Sequence, residues 1–148
     1  MAYSATSVGT YKRVNVETAS QSKLIVLLYN GAIQRAEEAK RQIEKGNYRA
    51  AHDNLIRSQE IIAELRSALN MTAGEIAQNL DRIYEYFQHL LVRANIRKDT
   101  APISECVALM ARLRDTWQEV FEKVTRETSP TQPPKLNQHG AALMNIQG

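Results

Sequence analysis

The chain of 148 residues is short of almost everything that interrupts a helix. It has 4 prolines and 6 glycines, and Pro133 and Pro134 stand together near the C-terminal end. A body with so few breakers favours long helices. Cys106 is the single cysteine, which excludes an internal disulfide; it lies in an apolar stretch and reads as a small core residue. No long apolar run exists: the longest, Leu24 to Tyr29, is far short of the roughly 20 residues that span a bilayer. The opening MAYSATSVGTYKR has no secretory h-region. The expectation is a cytosolic protein without membrane insertion.

Blocks of one charge sign are also missing. The net charge is +3, and nowhere do three Lys or Arg adjoin. Basic residues follow acids at i,i+4, as in Glu37–Arg41, Glu119–Lys123 and Glu122–Arg126. With the acid on the N-terminal side, that pattern describes a solvated helix face rather than a nucleic-acid footprint.

The signatures of catalysis are absent as well. A helical bundle can hold a di-iron centre through Glu-x-x-His motifs. Three residues before His52, His89 and His139 stand Arg49, Tyr86 and Leu136, so the motif does not occur. Glu85 and His89 lie one turn apart, a single pair that reads as a surface contact. No phosphate-cradling G-x-x-x-x-G-K exists, and Cys106 has no histidine base nearby in sequence. The expectation is a protein without enzymatic activity, metal or cofactor.

What the chain does have is heptad-like apolar spacing. Residues 1–19 show no helical period and read as an extended arm. Ser20 is placed to cap a first helix with the inward stripe Ile25, Leu28, Tyr29, Ala32, Ala36, Ala39 and Ile43, closed by Gly46. Asn47 is placed to cap a second, with Tyr48, Ala51, Leu55, Ser58, Ile62, Leu65 and Leu69 inward. Thr72 and Glu75 have capping-box spacing before a third, with Ile76, Leu80, Ile83, Phe87, Leu90 and Ala94 inward. Asp99 or Thr100 would cap a fourth, with Pro102 in its first turn and Ile103, Cys106, Met110, Leu113, Trp117, Val120 and Val124 inward.

Spacing of this kind packs helices at shallow angles, and short connections make sequential helices antiparallel. The fold expected is an all-α, antiparallel up-down-up-down four-helix bundle over residues 20–126. An N-terminal arm (1–19) precedes it and a flexible tail (127–148), rich in Pro, Gln, Thr and Asn, follows.

The inward stripes leave apolar residues over. They include Leu24, Val26, Leu27 and Ile33 in the first helix and Ile56 and Ile61 in the second. The third adds Tyr84, Tyr86, Leu91, Val92 and Ile96, and the fourth Val107, Leu109 and Phe121. A lone bundle needs an apolar face of about 100° per helix. Part of the excess widens the core; the remainder would form a patch of the kind that receives another protein.

Several of these stretches are similar to one known family. Tyr11-Lys-Arg-Val14-Asn-Val16-Glu17-Thr18-Ala19-Ser20, followed by Leu24 to Ala32, resembles the N-terminal signature of FliS, the flagellar secretion chaperones. Asn54 to Ile62 with Leu69-Asn70, and Gly74 to Leu80 with Tyr84-Glu-Tyr86 and Ala94-Asn95, match in order and spacing, as does Leu113 to Glu119. The resemblance covers roughly residues 11–124. It departs at Gln21, where family members often carry Pro after the Ser, which should slightly weaken the helix start.

The resemblance implies a cytosolic chaperone of bacterial flagellum biogenesis. Such proteins bind the C-terminal segment of flagellin, keep it from polymerising early, and help deliver it to the export gate protein FlhA. It also implicates the arm, with Tyr11, in covering the site and in the gate step. Together with the leftover apolar positions it nominates Tyr11, Val16, Val26, Ile33, Ile56, Tyr84, Leu91 and Val92 as partner-binding residues. A helical adaptor of another secretion pathway and a metal-binding bundle are the alternative readings.

Overall fold

The structure, a computed structural model, describes the backbone over residues 10–127 and the side chains over residues 21–127. The first nine residues lie outside the described residues, as does the tail expected over 127–148 except Glu127, which is the last residue of the fourth helix. The described residues form four helices: α1 (Thr10–Glu44), α2 (Tyr48–Ser67), α3 (Glu75–Arg97) and α4 (Ala101–Glu127), with a short 3-10 turn, Met71–Ala73, before α3. No strand is present among the described residues.

The helix boundaries follow local chemistry, in part differently from the sequence expectation. From Thr10 onward the expected extended arm is helical instead. No Pro or Gly stands between Thr10 and Asn30, and Gln21, unlike Pro, keeps its backbone N–H and brings no ring clash. Ser20 is therefore an interior helical position, not a cap. Gly46, at φ +80°, closes α1 in a conformation that side chains disfavour. Asn47 makes no side-chain cap to α2; its amide donates to Gln42 Oε1 at 2.9 Å. The Thr72–Glu75 capping box does not form either. The Thr72 hydroxyl and backbone N–H both donate to Asn70 Oδ1, at 2.6 and 3.1 Å, which caps the 3-10 turn instead. Asp99 does cap α4, accepting from the backbone N–H of Ala101 at 3.0 Å.

Hydrogen bonds between helices fix their directions. Arg35 donates to Asn54, while Ser58 donates to the carbonyl of Ala32 at 2.8 Å. Arg66 binds Asp81, Gln88 donates to the carbonyl of Gln59, and Asn95 bonds His52. In each set one index rises as the other falls, so α1/α2 and α2/α3 are antiparallel. The three-residue link from Arg97 to Ala101 gives α4 no room to do anything but turn back along α3. Helices α1 and α3 face each other across the diagonal.

The core follows most of the stripes, with one rotation and with Val120 of α4, expected inward, exposed instead. Ile25, Tyr29, Ala32, Ala36 and Ala39 of α1 are buried against Ala51, Leu55, Ile62 and Leu65 of α2. From α4 come Ile103, Cys106, Met110 and Trp117. On α3 the buried set is Ala77, Leu80, Tyr84, Phe87, Leu91 and Ala94, with Leu90. Ile76 is 58% exposed and Ile83 37%, so α3 is turned away from the expected stripe. Tyr48 also faces solvent, at the first turn of α2.

The rotation of α3 has a polar cause. It carries Tyr84 into the bundle centre, where its hydroxyl meets that of Tyr29 at 2.6 Å across the diagonal. Trp117 of α4 donates its indole N–H to the Tyr29 oxygen at 3.2 Å. The Tyr29 and Tyr84 rings meet edge to face with centroids 6.2 Å apart. Burial pushes the Tyr29 phenol far above its ordinary range, and burial also raises Tyr84. Both rings therefore remain neutral. Cys106 is likewise buried, its thiol only a weak donor to the Phe87 carbonyl at 3.8 Å, and burial pushes it up to about 12.

Two outcomes follow from this core. Tyr29→Phe removes the oxygen that both the Trp117 N–H and the Tyr84 hydroxyl bond, and should cost about 1–3 kcal/mol in denaturant melts. Tyr84→Phe, which leaves the Trp117 bond in place, should cost less; the reverse order would contradict this account of the network. A raised phenol stabilises fully below its unfolded pKa and loses that contribution as pH rises past about 10, so the wild type should lose more stability on that rise than Tyr29→Phe. Second, a thiol reagent at mildly alkaline pH should modify native Cys106 at least about a hundredfold more slowly than the denatured chain, read by mass spectrometry.

Candidate protein-binding surface

No group of three or more His, Cys, Asp or Glu stands close enough among the described residues to hold a metal ion. His52 is engaged with Asn95 through a 2.9 Å bond. No described helix is long and apolar enough to cross a membrane. What distinguishes the surface is apolar area left outside the core, arranged along the helix seams.

Placement sorts the sequence-nominated residues into three groups. Ile33, Tyr84 and Leu91 are buried, and their apolar surface packs within the bundle itself. They are core residues, a correction to the sequence reading. Its cause is the rotation of α3, which draws Tyr84 and Leu91 inward, and the packing of Ile33 into the same core. Val26 is half-buried on α1. Ile56 and Val92 are exposed at 37% and 40%. The backbone at Tyr11 and Val16 belongs to α1, and their side chains lie outside the described residues.

Ile56 and Val92 come together. The Asn95–His52 and Gln88–Gln59 bonds pair α2 with α3 on either side of them, so Ile56 stands opposite Val92 on the outer edge of that seam. Ile96, 76% exposed, continues the strip one turn further along α3. The seam itself is held firmly. Arg66 grips Asp81 with two bonds, of 2.6 and 3.2 Å, and reaches Glu85 at 3.7 Å. The hydrogen bond from Arg66 lowers the Asp81 carboxyl below its usual range.

A second strip was not nominated from sequence. Leu24 and Leu27 lie one turn apart on α1, and Leu27 is 64% exposed. A third lies between α3 and α4, where an open groove of about 500 Å³ runs over Ile83, Phe87, Leu109 and Leu113. Arg82 and Arg112 stand at its rim, and the Tyr86 hydroxyl donates to Glu105 from α3 to α4 at 2.5 Å. Periodicity assigned Ile83 to the core; two α3 stripes share Leu80, Phe87 and Ala94, and sequence spacing does not choose between them.

Comparison with known proteins gives this surface a context. The family model described as "Flagellar protein FliS" matches residues 4–124. The flagellar secretion chaperone FliS of Bacillus subtilis is 31% identical over 117 residues, which covers 79% of this chain and 87% of that protein. FliS of Salmonella typhimurium is 31% identical over 133 residues, 86% of this chain and 98% of that one. FliSB of Pseudomonas aeruginosa is 32% identical over 123 residues, covering 80% and 98%. These are chaperones rather than enzymes, in keeping with a helical bundle whose distinguishing surface is apolar rather than catalytic. The chain belongs to the FliS family of flagellar secretion chaperones.

Proposed function

We propose that this protein acts in the cytosol, where it binds the C-terminal segment of flagellin, holds it from premature polymerisation, and supports its delivery to the export gate protein FlhA. The observation that carries the reading is the distribution of uncovered apolar side chains. They lie on more than one face: Leu24 and Leu27 on α1, Ile56, Val92 and Ile96 at α2/α3, and Ile83 and Tyr86 at α3/α4. A compact globular partner would meet one of these faces. A segment that is disordered until bound can follow several, ordering as it wraps. Family membership supports a flagellar client.

The N-terminal part of the chain, with Tyr11 and Val16, enters the proposal as the cover of this surface in the absence of client and as a participant in the gate step. Its support is the resemblance of residues 11–20 to the family signature.

Calorimetric titration of the purified chain with a flagellin C-terminal segment should give a one-to-one complex. Ile56→Asp with Val92→Asp should weaken it about tenfold or more, because each aspartate places a charge on apolar surface that the client would cover. Both positions are exposed, so thermal unfolding of the double variant should stay close to wild type. A folded wild-type protein that yields no heat at roughly tens of micromolar segment would overturn the reading.

A further inference from the structure

The groove between α3 and α4 has a definite polarity along its length. Its lining is apolar, with Phe87 buried, Leu109 and Leu113 half-buried and Ile83 exposed. Ile83–Phe87 and Leu109–Leu113 are i,i+4 pairs, so each wall offers about one turn of ridge, the spacing into which side chains of another helix fit. Toward one end the Tyr86–Glu105 bond passes from helix to helix and closes the slot. Hydrogen bonding to Glu105 raises the Tyr86 phenol, so the bridge keeps its proton.

The other end is open and cationic. Phe87 and Cys106 are in contact, which sets the level of α3 against α4. From there Arg82 lies five residues back on α3 and Arg112 six residues on along α4. At about 1.5 Å per residue in antiparallel helices these are displacements of about 7.5 and 9 Å in the same direction. The two guanidinium-bearing positions therefore stand at matching heights on opposite walls. Among the described residues neither has an ion-pair partner. Arg82 makes one long bond, 3.5 Å, to Asn79. The neighbouring acids are engaged elsewhere, Asp81 with Arg66 and Asp115 with Arg114. Two arginines without a close ion pair, Arg82 feeling Asp81 only at longer range, concentrate positive potential above an apolar wall and present forked donors that suit a carboxylate.

We infer that this slot receives a helical stretch of the exported client that carries an apolar anchor and, about one turn away, a carboxylate. The anchor enters between Ile83 and Leu113, and the carboxylate meets Arg82 and Arg112. The inference rests on the client-binding reading above and adds to it a place and a chemical requirement.

The test uses the full chain and the same flagellin C-terminal segment, titrated at low and high salt. Arg82→Glu with Arg112→Glu should weaken binding about tenfold or more and flatten its salt dependence. Arg82→Gln with Arg112→Gln should give a smaller loss. Both arginines are exposed, so circular dichroism and melting should match wild type for each variant. A segment whose carboxylates are changed to amides should lose affinity for wild type but little more for the Glu variant. If wild type binds and the Glu variant binds within about twofold of it, the slot assignment fails while the function stands. If wild type does not bind at all, both fail. Wild-type self-association in sedimentation that the Glu variant abolishes, with client binding unchanged, would assign the slot to a second copy and overturn the proposal.

Discussion

A hydroxyl pair at the centre of a helical bundle is a demanding constraint, because each polar atom taken from water must find a partner at a fixed place. Tyr29, Tyr84 and Trp117 come from three helices and meet only in one arrangement of α1, α3 and α4. The bond across the diagonal sets the rotation of α3. That rotation places Tyr84 and Leu91 inside and leaves Ile83, Tyr86, Val92 and Ile96 outside. Trp117 does the same for the level of α4, which brings Arg112 opposite Arg82. The exposed apolar strips on α3 are thus the far side of an interior decision.

The remaining contacts consolidate that arrangement. Ala32, Ala36 and Ala39 give α1 a flat face, and Ala51 of α2 is buried against it. Ser58 is buried in the same interface but satisfied, since its hydroxyl donates to the Ala32 carbonyl. Across α2/α3 the Arg66–Asp81 pair is only partly exposed and is reinforced by the Arg66 bond to Gln88. An ion pair of this kind contributes little to net stability, about 1 kcal/mol or less. Its directional bonds do define how the strip of Ile56 and Val92 is presented.

Much of this was legible in the residues. The apolar spacing located four helices and most of the core, because in α1, α2 and α4 one stripe clearly outweighs its neighbours. It failed on α3, where Ile76–Leu80–Ile83 and Ala77–Leu80–Tyr84 are both acceptable stripes and the choice depends on a hydroxyl partner 55 positions away. Capping was legible at Asp99 and Gly46 but not at Thr72, where Asn70 competes for the same hydroxyl. The helical reach of α1 back to Thr10 is not legible in apolar periodicity, which is weak there, although no Pro or Gly forbids a helix. For the surface, composition showed that apolar residues were in excess. Which of them lie outside depends on packing: Ile56 and Val92 are exposed, whereas Ile33, Tyr84 and Leu91 are buried.

The polar ties between helices are unevenly shared, and this bears on how the bundle yields under load. Helices α1 and α2 are pinned by Ser58 and Arg35, α2 and α3 by Arg66, Gln88 and Asn95, and α1 and α4 by Trp117 and Arg114. Between α3 and α4 the described ties include the Tyr86–Glu105 bridge, a weak thiol contact one residue along, and the Trp117 indole N–H, which also reaches the Tyr84 hydroxyl. Dispersion contacts tolerate a small sliding displacement that a directional bond does not. A polar tie at one end and dispersion contacts along the rest make this seam the one where a small parting breaks few directional bonds.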